Sequence, residues 1–147
     1  MADSFKMTRS GLDSVTGMQS RHLSTHIDRP ASDVYDYAAD PANLPSWAAG
    51  LGTSIEREAD HWIVDSPGGR IVLTYAPKNE FGVIDHEVTL PTGEVFYNPV
   101  RVTPDRDGCE VVFSLRRQPG MSDEDFERDA RAVQTDLEKL KEITESR

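Results

Sequence analysis

The chain has 147 residues, 26 of them acidic and 16 Lys or Arg, for a net charge of −10. This length suits one domain with a real core, and the negative balance argues against nucleic-acid and anionic-membrane partners, which need a basic footprint. Cys109 is the single cysteine, so no intrachain disulfide can form and a reducing cytoplasmic setting is expected. No apolar run reaches the roughly 20 residues of a membrane-spanning helix, and no apolar signal core stands at the N-terminus.

Residues 1–19 are polar with scattered apolar positions and no period, which predicts a flexible extension before a domain over 20–147. In Arg21–Asp28, Leu23, Thr25 and Ile27 alternate with His22, Ser24 and His26, a strand pattern. Pro30 stops it and suits a helix start. A short helix with Val34, Tyr35, Tyr37 and Ala38 on its apolar side follows. Asp40-Pro41 breaks it and opens a second helix to about Ala49, carrying Leu44 and Trp47, which Gly50 and Gly52 end.

The next stretch reads as strands punctuated by turns. The predicted strands are Ser54–Ala59, His61–Ser66, Arg70–Ala76, Gly82–Leu90, Glu94–Thr103 and Cys109–Arg117. Their short connections imply an antiparallel meander. Pro99 predicts a bulge or bend within the sixth of the seven strands. The last element is a helix of about 24 residues. Ser122 is a good N-cap, and Asp123, Glu124 and Asp125 suit the positive end of the helix dipole. Phe126, Ala130, Val133, Leu137 and Leu140 then form one apolar stripe that the sheet can cover. The fold class is therefore α+β: a seven-stranded curved antiparallel sheet, two short helices after the first strand, and a long C-terminal helix.

Two stretches carry a family likeness. Ile27-Asp28-Arg29-Pro30-Ala31-Ser32-Asp33-Val34-Tyr35-Asp36-Tyr37, continuing through Asp40-Pro41-Ala42-Asn43-Leu44-Pro45-Ser46-Trp47, resembles the opening signature of the SRPBCC superfamily. Asp136-Leu137-Glu138-Lys139-Leu140-Lys141 is similar to its final-helix ending. This superfamily, also called START-like or Bet v 1-like, has the helix-grip fold. Phe81-Gly82-Val83-Ile84-Asp85-His86 and Arg117-Gln118-Pro119-Gly120-Met121-Ser122-Asp123 look like its polyketide cyclase/dehydrase-like branch. The likeness covers about residues 20–145. It is specific for the fold and weak for activity, because members include lipid carriers, hormone receptors, cyclases, dehydratases and chaperone regulators.

The resemblance implies a cavity between the sheet and the long helix. Strand parity selects its lining. Phe113 shares a face with Cys109, Val111 and Leu115; Phe96, Asn98 and Val100 share another; Ile84 lies with His86 and Val88; Leu73 lies with Tyr75 and Ile71. Trp47 and Trp62 close the ends, and Phe126 and Val133 face in from the helix. His86 is the one expected titrating group. Burial would keep it neutral, as ligand contact or acid/base work requires, although a purely structural imidazole fits the same pattern. Asp85, its neighbour, should point to the opposite face, whereas Asn98 on the next strand is a polar companion. Cys109 reads as apolar filler. His22 and His26, roughly 13 Å apart on a strand, cannot share a metal ion. Gly68-Gly69 is a hairpin turn without the residues of a phosphate cradle, so no cofactor is expected. Three readings remain: a binder of a small hydrophobic molecule, a cofactor-free cyclase or dehydratase using His86 with Tyr75 or Asn98, and a regulatory domain that contacts another protein. A monomer and a homodimer are equally compatible with the sequence.

Overall fold

The computed structural model describes residues 19–48, 50 and 54–147. The expected extension over residues 1–18, and the expected helix end at Ala49 and Gly52, lie outside these. Gln19, the last residue of that extension, is already held: its carbonyl accepts the Arg117 N–H at 2.8 Å.

Among the described residues eight strands and three helices follow in chain order: β1 Ser20–Ile27, α1 Ala31–Ala38, α2 Leu44–Trp47, β2 Glu56–Glu58, β3 His61–Ser66, β4 Gly69–Tyr75, β5 His86–Thr89, β6 Val95–Asn98, β7 Val100–Asp105, β8 Gly108–Arg116 and α3 Asp123–Glu145. A 3-10 turn over Pro41–Asn43 precedes α2. The Asp40 side chain caps it by accepting the Ala42 N–H at 3.0 Å. The second helix is thus shorter than its sequence pattern predicts.

Hydrogen bonding gives a three-stranded set, β1-β8-β7, and a five-stranded set, β2-β3-β4-β5-β6, all antiparallel. The chain at 95–105 joins them. Its first half pairs with β5 and its second half with β8. Val83 bridges Arg101 in the register that pairs His86 with Asn98, so the β5–β6 ladder continues past the break. Eight strands therefore form seven rows, with Pro99 as the bend that splits the sixth predicted strand. Proline has no N–H to donate to a ladder.

Gly82 lets this continuation form. Its φ of +74° favours glycine, and a Cβ there would collide with the Val102 carbonyl oxygen. The Gly82 carbonyl accepts the Val102 N–H at 2.9 Å.

The long helix begins as its sequence predicts. The Ser122 hydroxyl accepts the Asp125 N–H at 3.0 Å, and three acids fill the first turn. The stripe then meets the sheet. Leu137 and Leu140 join Ile27, Leu73, Val100, Val111 and Cys109 in the main core. Phe126 and Ala130 form a second cluster with Leu115. Arg21 and Arg117 lie over the Phe126 ring, 5.2 and 5.8 Å from its centre, so this end of the core is closed by cations over an aromatic face. Cys109 is wholly buried, and that burial pushes its thiol up to about 11, as suits a filler.

Candidate functional site

The site begins with the irregularity at Pro99. In a regular ladder the Val100 N–H would donate to the Ile84 carbonyl, since Ile84 N–H already donates to the Val100 carbonyl at 2.8 Å. Instead it donates to Asp85 Oδ1 at 2.9 Å. The Ile84 carbonyl meets His86 Nδ1 at 3.1 Å. A carbonyl can only accept, so Nδ1 carries the proton, and Nε2 of the neutral ring presents a lone pair. Burial lowers the His86 pKa, which keeps the ring in that neutral form near pH 7.

Neighbours hold the ring in place. Tyr75 stacks on it with centroids 5.1 Å apart and planes 27° apart. Phe113 meets it edge-on at 6.5 Å. Asn98 Nδ2 lies 3.4 Å from Nε2, longer than the usual ~2.9–3.0 Å, so it engages the lone pair weakly.

On the opposite face Asp85 is almost fully buried at 5% exposure. It accepts from Arg101 Nε at 2.9 Å and Nη2 at 2.7 Å, and from the Tyr97 hydroxyl at 2.7 Å. The Arg101 guanidinium, helped by Tyr97 and the Val100 N–H, holds its carboxyl down at about 2. Asp85 and His86 therefore do not form a dyad, as their adjacent positions on the strand require.

His86 looks into a cavity of about 220 Å³ between sheet and helix. Leu44, Trp47, Ala48 and Gly50 wall one side, Val88, Asn98 and Phe113 the sheet side, and Val133, Asp136 and Leu137 the helix side. Larger hollows lie elsewhere, one of about 740 Å³ along Thr135–Glu145 and one of about 600 Å³ beside the exposed Phe81. The inner cavity differs from them in chemistry. Trp47 is on its wall, and among the described residues its buried indole N–H has no hydrogen-bond partner. The Tyr75 hydroxyl, on the ring stacked against His86, is also buried and unpartnered, and burial raises its pKa. Buried polar groups are rarely left so.

Of the residues expected to line it, Trp47, His86, Asn98, Phe113 and Val133 do so. Tyr75 stands behind His86. Leu73, Ile84 and Val100 are fully packed in the core around it, and Trp62 and Phe96 are half-buried on β3 and β6 outside its lining. Phe126 sits in the second cluster, away from it. Asp136 is a lining residue that the apolar pattern passes over. Its signal was its place three residues after Val133, on the same helix face.

A curved antiparallel sheet closed on a long C-terminal helix over a small apolar cavity defines a helix-grip protein of the Bet v 1-like, SRPBCC type. Within that class the chain belongs to the polyketide cyclase / dehydrase and lipid transport family, whose pattern it matches over residues 18–145. Solved structures share the fold. Ara h 8.0201 superposes with a TM-score of 0.66 at 13% identity, over 89% of this chain and 100% of that one. The protein XoxI from Bacillus cereus gives 0.67 at 13%, over 86% and 96%. A Deinococcus radiodurans protein gives 0.61 at 22%, over 87% and 98%. No curated protein sequence matches the chain. Among the described residues no helix is long and apolar enough to cross a membrane.

Proposed function

We propose that the protein binds a small, largely apolar molecule in the cavity between its sheet and its last helix. One observation carries this reading: a mostly apolar cavity between sheet and helix that has the His86 imidazole and the Asn98 amide on its wall. Ligand sites combine apolar walls with a few polar anchors in this way. The size limits the occupant. A cavity of roughly 150 Å³ takes a benzene ring, whereas drug-sized pockets run from roughly 300 Å³ upward. About 220 Å³ suits one or two rings, or a short chain. A two-dimensional NMR titration with naphthalene tests it. The amides of Val88, Phe113, Val133 and Leu137 are expected to shift and saturate, and Val133→Phe, which fills the space, should abolish the effect. Absence of saturable shifts, or shifts indifferent to Val133→Phe, would sink the reading.

A second reading, cyclase or dehydratase chemistry on the bound molecule, is favoured by the His86 tautomer. A neutral imidazole whose Nε2 lone pair is only weakly engaged can take a proton from a carbon beside a carbonyl. The resulting enolate oxygen would accept from the Asn98 amide, and the proton can return from Nε2. Deuterium exchange at the activated carbon of β-tetralone in heavy water measures this step. The protein should accelerate exchange, and His86→Ala should remove roughly 10²-fold of that acceleration. Exchange that His86→Ala leaves unchanged would reject the enzyme reading.

A further inference from the structure

The polar groups around the cavity differ in kind, and the difference specifies a ligand. Asn98 Nδ2 can only donate, and its contact with His86 is long, at 3.4 Å. His86 Nε2 can only accept, because Nδ1 is committed to the Ile84 carbonyl, and its nearest donor stands at 3.4 Å. Both residues line the same space. A neutral hydroxyl satisfies both kinds of group, since its hydrogen donates and its oxygen accepts. A carboxylate does not. It brings no proton for Nε2, and no Lys or Arg stands among the described lining residues. Burying an anion without a partner is costly. The outer side of the sheet shows the contrast: there the buried carboxylate of Asp85 has Arg101.

We propose that the cavity selects an uncharged one- or two-ring molecule bearing a phenolic or enolic hydroxyl, which donates to His86 Nε2, and that it discriminates against the corresponding carboxylates. This rests on the ligand-binding reading above and names the ligand class of the same cavity. Asn98, at 3.4 Å, yields the lone pair to the ligand at small cost. The Pro99 bend is the origin of the selectivity, because it frees the Ile84 carbonyl that fixes the tautomer.

Calorimetric titration of the whole chain with three probes of similar shape tests the proposal: β-naphthol, its methyl ether, and β-naphthoate. The wild type should bind β-naphthol about tenfold more tightly than the ether, ~1.4 kcal/mol, and should bind β-naphthoate at least tenfold more weakly than β-naphthol. His86→Phe keeps a ring against Tyr75 and removes the acceptor, so it should bind β-naphthol and the ether alike. Should that variant fail to fold, the three wild-type affinities still decide. Equal affinity for β-naphthol and its ether, or tight β-naphthoate binding, would overturn the selectivity while leaving the pocket reading intact. If naphthalene binds and none of the three probes does, the class is likewise wrong. If naphthalene also fails to bind, the reading beneath it falls too.

Discussion

Asp85 secures the bend at Pro99. Pro99, opposite it, has no N–H, and Val100 has lost its regular ladder acceptor. The carboxylate supplies that acceptor and fastens the bend to Arg101 and Tyr97 on the outer face. Its stabilising effect depends on ionisation. The folded-state pKa lies at about 2, below the ordinary 3.8. A depressed carboxyl pKa contributes stability that is fully present above the unfolded value and lost as pH falls through the folded one. The full shift would correspond to ~2.4 kcal/mol, but the Arg101 side chain is half-exposed, so solvent screening reduces it. Asp85→Ala is therefore expected to destabilise the fold by about 2 kcal/mol at pH 7, counting the Val100 N–H it strands. The deficit should narrow between pH 4 and pH 2. Urea denaturation of both proteins across that range checks this, and a deficit constant with pH would show that ionisation is not its source.

Among the elements, α3 and the meander were the most legible in sequence. A period of three and four from Phe126 to Leu140, a Ser cap and an acidic first turn are local signals, and local signals survive whatever the partners are. Parity likewise places His86 and Asn98 on the cavity face, because the side-chain period of a strand is two. Pro99 announced a bend. What the bend would do was not legible, since it depends on register. The groups meeting at Asp85 come from Tyr97, Val100 and Arg101, 12 to 16 residues away. The same non-local step fixes the His86 tautomer. Parity also cannot separate a residue that lines a cavity from one that fills the core beside it. Leu73, Ile84 and Val100 share the inward face with His86 and Asn98, yet they are packed solid. The wall made by Leu44, Trp47, Ala48 and Gly50 was only half legible: Trp47 marked it, while the 3-10 turn that shortens the helix came from the Asp40-Pro41 pair.

At the scale of the whole molecule, the cavity exists because the core stops short of filling the space under the helix. The main core runs from Ile27 on β1 through Val34 on α1, Leu73 on β4 and Val111 on β8 to Leu137 and Leu140 on α3. The helix therefore closes the same apolar body that β1, β3, β4, β7 and β8 build, and it should not come away by itself. Leu140 is fully buried and lies outside the cavity lining, so its removal tests the grip without touching the site. Leu140→Ala loses the transfer free energy of the side chain and leaves a void, about 3 kcal/mol together. Equilibrium unfolding should then move to lower urea with an unchanged slope. Tryptophan fluorescence, reporting Trp47 and Trp62, and far-ultraviolet circular dichroism, reporting mostly α3, should still give coincident transitions. Two separated transitions would mean that the helix unfolds before the sheet, and that ligand entry can proceed by its release.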